Sequence, residues 1–188
     1  MIACFLAGEL MSERFGPATR AALAARGYSE ELLTDADLDD QAANRARRTV
    51  LGDTRGYGQS RELFDAAFPA RVSWVWACLS ADELARVRYM DYSYWIELSG
   101  GTRLPADAAK LIKRGIEAFG ISNELLLAAA GAVARGEPLP PLILVGRRSD
   151  DLVCLEGHLR LTGYALAGFP AELDCLIGTA PTMDRWAH

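Results

Sequence analysis

The stretch Pro141-Leu-Ile-Leu-Val-Gly-Arg-Arg-Ser-Asp-Asp-Leu-Val-Cys-Leu-Glu-Gly-His-Leu-Arg160 decides the fold. Leu142–Val145 and Leu152–Leu155 are apolar runs of strand length, and residues 146–151 between them carry turn chemistry, so the pair predicts a hairpin. After Glu156-Gly157 the spacing predicts a helix over 158–167, closed by Gly168 and Pro170, and a returning strand over 171–177. The order is β-turn-β-α-β, which belongs to an α+β domain rather than a bundle or a sandwich.

Upstream, residues 72–79 (Val-Ser-Trp-Val-Trp-Ala-Cys-Leu) are rich in branched and aromatic side chains and predict another strand. Ser80-Ala-Asp-Glu83 has capping-box spacing and predicts a helix from there to about Met90. Pro105 and Asp107 open a helix expected to end near Gly120, and a third should cover 123–135, stopped by Gly136. Residues 1 to about 70 differ in character. Pro17 and Gly27 bracket one helix, Asp39-Asp40 caps a second over 41–51 ending at Gly52, residues 55–60 read as a loop, and Ser60 caps a short third before Pro69. The expected organisation is a helical extension over 1–70 and a mixed core over 71–188.

Composition narrows the function classes. The 188 residues are 51% hydrophobic and 24% charged, ordinary for a globular chain, with a net charge of -5. Eight basic and 11 acidic residues precede residue 70, and 12 and 14 follow it. Neither part is basic, which argues against a duplex-binding surface and so against a nucleic-acid partner. The only lysines are Lys110 and Lys113, and the arginine excess is a compositional bias. Arg45, Arg47, Arg48 and Arg55 read as a solvated helix face. The four cysteines form no Cys-x-x-Cys pair, and three sit in apolar runs, as small buried hydrophobes do; a reducing, cytoplasmic setting follows. The opening apolar run lacks a preceding basic residue, so it is a poor signal peptide, and no apolar stretch is long enough to span a membrane. With two histidines, one of them terminal, a His-based zinc site lacks ligands. No Gly-x-Ser-x-Gly elbow and no Walker A loop occurs.

Glu156-Gly157-His158-Leu159-Arg160 lies where a strand meets a helix. The first N–H groups of a helix lack internal partners, and the helix dipole adds positive charge there. Gly157 lets the backbone approach an anion, and His158 and Arg160 supply side-chain donors, the physics of a phosphate site. The plain alternative is a tight junction with a solvated arginine and a packed histidine.

The run Pro141–Val145, the turn, Leu152–Arg160, Ala165 and Gly168 resemble the ParB/sulfiredoxin-like superfamily over residues 95–178. The resemblance implies that core fold, a nucleotide held with its phosphates against the Gly-His-x-Arg turn, and an ATP-dependent phosphotransferase or ATPase acting on a small molecule with Mg²⁺. The turn lacks the reactive cysteine of a sulfiredoxin, which argues against sulfinic acid repair. Only 28 residues follow Arg160, which leaves no room for the DNA-binding domain of a partitioning protein. The free-serine kinases are closest in turn chemistry, except that their second histidine is Leu159 here. On this reading Gly157, His158, Leu159 and Arg160 hold phosphates, and Glu156 binds Mg²⁺ or orients a hydroxyl. In related folds the segment before the first long core helix faces the nucleotide. That segment here is the aromatic run from Tyr89 and the loop Ser99-Gly100-Gly101-Thr102-Arg103. Asp91 and Glu97 become candidate bases, and Ser99, Gly100, Gly101, Thr102 and Arg103 candidate ligand contacts; aromatic packing and an ordinary turn are the alternative. Residues 1–70 offer a face to a protein partner or a second copy of the chain. The rival function is a non-catalytic nucleotide-sensing or protein-interaction module.

Overall fold

The structure is a computed structural model that describes residues 1–57, 68–69 and 71–183. The chain forms two compact units, Met1–Phe68 and Pro69–His188. The helix expected from Ser60 lies outside the described residues.

The first unit is helical: α1 (Ile2–Met11), α2 (Gly16–Ala25), α3 (Glu31–Thr34) and α4 (Gln41–Arg55). The opening apolar run is α1, which buries Phe5, Leu6 and Leu10. Asp40 caps α4 as expected, its Oδ1 accepting from the N–H of Ala42 at 2.7 Å and Ala43 at 3.1 Å. The helix runs through Gly52 rather than ending there and stops at Gly56, whose φ is 70°. Val50, Leu51 and Gly52 are all buried, so packing outweighs the cost of about 1 kcal/mol for an interior glycine. Two arginines expected on a solvated face are instead internal parts. Arg47 is 2% exposed and donates to the carbonyls of Leu32 and Asp37 and to Asn44 Oδ1. Arg55 lies 4.1 Å over the Phe15 ring and 3.6 Å from Glu9.

The second unit holds β1 (Ser73–Ser80), α5 (Ala81–Leu84), α6 (Ser93–Leu98), α7 (Pro105–Lys113), a 3-10 turn (Ala118–Gly120), α8 (Glu124–Ala134), β2 (Leu142–Gly146), β3 (Leu152–Glu156), α9 (His158–Ala167) and β4 (Glu172–Thr179). The class is α+β. The sheet order is β1-β4-β2-β3, with β4 antiparallel to β1 and parallel to β2, and β2 antiparallel to β3. The hairpin pairs Val145 with Val153 and Leu144 with Cys154, and a register shift then sets Ile143 opposite Glu156. One sheet face packs Leu142, Leu144, Cys154 and Ile177 against Leu126 of α8 and Leu161 of α9. Gly163 lets α9 lie close on α8: a Cβ there would sit 3.0 Å from the Ala129 carbonyl carbon.

Two helices are shorter than expected. The Ser80–Glu83 capping box is complete, yet α5 ends at Leu84, not near Met90. Arg88 instead lines the free edge of β3, its N–H donating to the Leu152 carbonyl and its carbonyl accepting from Cys154, at 2.9 and 2.8 Å. Pairing to a sheet edge satisfies the same backbone groups that another helical turn would. Likewise α7 ends at Lys113, ahead of Gly115, and the segment to Gly120 is a turn. Cys154 and Cys175 are buried thiols, but Cys78 is exposed. No helix among the described residues is long and apolar enough to cross a membrane.

Candidate functional site

Glu156 ends β3 and His158 begins α9, with Gly157 as the hinge between them. The hinge requires glycine twice over. Its φ is 104°, and a Cβ would lie 2.7 Å from Leu142 Cδ2 and 3.0 Å from Arg160 Nη2. Gly157 makes no side-chain cap, and its carbonyl accepts from Leu161, which starts the helical ladder. The N–H groups of His158, Leu159 and Arg160 meet no acceptor among the described residues. They form an uncapped helix start carrying the positive end of the dipole.

Arg160 folds back beneath this end. Its Nη2 is 3.6 Å from Glu156 Oε1 and donates a long bond, 3.4 Å, to the Pro141 carbonyl. Its Nε is buried and has no hydrogen-bond partner among the described residues. A guanidinium N–H out of contact with water and without an acceptor costs free energy that an arriving anion recovers. Glu156 and Arg160 are both largely covered, with side chains 24% and 18% exposed. Leu159 is exposed.

His158 differs from expectation in its polarity. Its Nε2 accepts from the Met90 N–H at 3.3 Å, and its ring stacks on Trp95 at 5.1 Å and Tyr89 at 6.1 Å. Burial, with the Arg160 charge behind it, pushes the imidazole down to about 3. The ring is therefore neutral, and a donor toward a ligand is limited to Nδ1–H. Below it the Tyr89 and Thr162 hydroxyls share a 2.7 Å bond, and Thr162 donates to the His158 carbonyl at 2.8 Å. Burial pushes the Tyr89 phenol well up, so it stays protonated. Of the aromatics of residues 89–95 that fit no simple spacing, Tyr89 and Trp95 stack with His158, Tyr94 stands edge-on to Trp95, and Tyr92 is exposed.

The second candidate segment reaches the same place with its donors already engaged. The N–H groups of Gly100, Gly101 and Thr102 go to the carbonyls of Glu97, Ile96 and Ser99, at 3.0, 2.8 and 3.5 Å. Arg103 N–H goes to Ser99 Oγ at 2.8 Å, and Leu104 N–H to Thr102 Oγ1 at 3.1 Å. Ser99 is 1% exposed, and its hydroxyl also bonds the Trp95 carbonyl. Arg103, at φ 61°, clamps Tyr89 from both sides. Its Nε donates to the Tyr89 carbonyl and its own carbonyl accepts from the Tyr89 N–H, each at 2.8 Å. The loop expected to offer free N–H groups and a second phosphate arginine is a self-satisfied brace. Through Tyr89 and Met90 it positions His158.

The two candidate bases part company. Asp91 follows Met90 directly, is exposed, and its charge reaches Arg103. Glu97 is exposed on α6 two residues after Trp95, and residues that far apart on a helix face opposite ways. Trp95 faces His158, so Glu97 faces away from it. No group of three or more metal-ligating side chains occurs among the described residues.

Compared with known proteins, the chain matches no family model, no curated protein and no solved structure.

Proposed function

We propose that this chain is a nucleotide-binding protein with a ParB/sulfiredoxin-like core, and that it acts as an ATP-dependent phosphotransferase or ATPase on a small molecule. One observation carries the reading: the uncapped start of α9 lies beside an arginine whose buried Nε has no acceptor among the described residues. Anions are the ligands that such a pairing favours, and a hinge glycine allows close approach. The N–H groups of residues 158–160 and the Arg160 guanidinium would bind phosphate oxygens, with His158 Nδ1–H as a further neutral donor. A Mg²⁺ ion fits only if phosphate oxygens supply most of its ligands, because among the described residues Glu156 is the one carboxylate at the hinge; this is the usual manner for that ion. The ion would neutralise charge on the phosphates, and Glu156 would help to hold it. Asp91 is the remaining candidate to accept a proton from a substrate hydroxyl. The test is ³¹P NMR of ATP with Mg²⁺, the protein and pooled small hydroxyl compounds. New phosphoester or phosphate resonances that vanish in Arg160→Ala support the reading, and an unchanged ATP spectrum opposes catalysis.

A second reading, a non-catalytic nucleotide-sensing or interaction module, is favoured by the neutral, already hydrogen-bonded His158 and by Glu97 facing away. It predicts binding of nucleotide without turnover in the same experiment.

A further inference from the structure

The two edges of the sheet differ. The outer edge of β3 is lined by Arg88, whose backbone bonds Leu152 and Cys154. The outer edge of β1 is open: the backbone groups of residues 73–79 bond to β4 and to nothing else among the described residues. Native edge strands are normally blunted by a charge, a proline, a bulge or a short length. Strand β1 has none of these. Its eight residues, Ser73-Trp-Val-Trp-Ala-Cys-Leu-Ser80, are uncharged and pair with β4 without a register shift. Val75 and Trp76, on opposite faces at its middle, are 52% and 61% exposed. Charge gathers at the strand's ends instead. Around Ser80 stand four carboxylates, Asp82 and Glu83 after it and Glu172 and Asp174 beside it on β4, with one cation, Arg86. Exposed Arg71 precedes the other end.

We propose that β1 pairs antiparallel with β1 of a second copy of this chain about a two-fold axis at Trp76, joining two four-stranded sheets into one. Partners across an antiparallel pair face the same side of the sheet, so the axis passes at a residue and not between two. At Trp76 it matches residues 73–79 with themselves. Trp76 meets Trp76, Val75 meets Ala77, and Trp74 meets Cys78, with no charge on either face. The antiparallel sense also sets each acidic end against Arg71 of the other copy and holds the two acidic ends apart, whereas a parallel pair would join them. The pairing does not depend on the nucleotide reading. The test is sedimentation of the full chain from about 10 to 300 µM, a range suited to an interface below the standard size. The parent should pass reversibly from monomer to dimer. Trp76→Lys, at an exposed position, should stay monomeric with the amide spectrum of a folded chain, since like charges then face each other across the axis. Trp76→Glu should do the same, and an equal mixture of the two variants should recover the dimer, because this register sets position 76 against itself. Val75→Lys, on the other face, should weaken association about tenfold, which keeps the test decisive if the Trp76 variants lose the fold. A parent still monomeric at the top of that range, a folded Trp76→Lys as dimeric as the parent, or a mixture of folded variants that stays monomeric overturns the proposal.

Discussion

The hinge at 156–160 and the loop at 99–103 carry nearly the same ingredients: glycine at positive φ, an arginine, and a helix soon after. The loop spends its backbone donors on partners close by in the chain. Its N–H groups go to local carbonyls and to the Ser99 and Thr102 oxygens, and its arginine braces Tyr89. The hinge leaves three helix N–H groups and one buried guanidinium N–H without acceptors among the described residues. What separates a candidate binding site from a structural turn is thus the accounting of donors, not the composition of the motif.

The sharpest way to break this comparison is to put the same change in both segments. Gly157→Ala meets left-handed backbone strain and the Leu142 and Arg160 side chains, and should cost about 2–4 kcal/mol in denaturant unfolding. Gly101→Ala has φ 93° but nothing within 4 Å of the new Cβ, so the backbone term of about 1–2 kcal/mol stands alone. Equal costs at the two sites would mean that the hinge is not close-packed.

The next effect is electrostatic. His158 in the folded chain stays neutral down to about 3, whereas in the unfolded chain it titrates near 6.5. Between those values the unfolded state binds the extra proton, so this stability is complete above pH 6.5 and is lost as pH falls. By pH 5 the loss reaches up to about 2 kcal/mol, and His158→Gln should flatten that part of the profile. A parent and variant of equal slope from pH 7 to pH 5 would place the imidazole in water.

Ser99→Ala tests the brace. It strands the Arg103 N–H beside a buried position and should cost about 1–3 kcal/mol, read in the same unfolding experiment. Smallest of all, Glu97→Gln on the exposed face of α6 should change stability by no more than about 0.5 kcal/mol and leave nucleotide affinity alone.

The hairpin, the Ser80–Glu83 box, α9 and β4 were legible because each rests on local signals: apolar runs of strand length, a cap at fixed spacing, a glycine at a junction. The places that misled are those decided by distant partners. Helix α5 stops early because Arg88 has a strand edge to join, and α4 passes Gly52 because its neighbours are buried. Arg47 and Arg103 looked like charges for solvent or ligand. Apart from Asn44 on the same helix, their acceptors are carbonyls of residues 10 to 15 positions away, which no spacing rule connects to them. At the candidate site the hinge itself was readable, with its glycine, histidine and arginine. The state of His158 was not, since it depends on a backbone N–H 68 residues earlier.

The central claim, that phosphates sit on residues 157–160 and not on the Ser99–Arg103 loop, is met most directly by thermal unfolding with and without Mg²⁺ and ATP, ADP or CTP. At ten times the dissociation constant the parent should melt about 3–6 °C higher. Arg160→Ala should abolish that shift with little change in its own melting point, and Arg103→Ala should lower the melting point yet keep the shift. A shift that survives Arg160→Ala, or none with any of the three nucleotides at millimolar concentration, would contradict it.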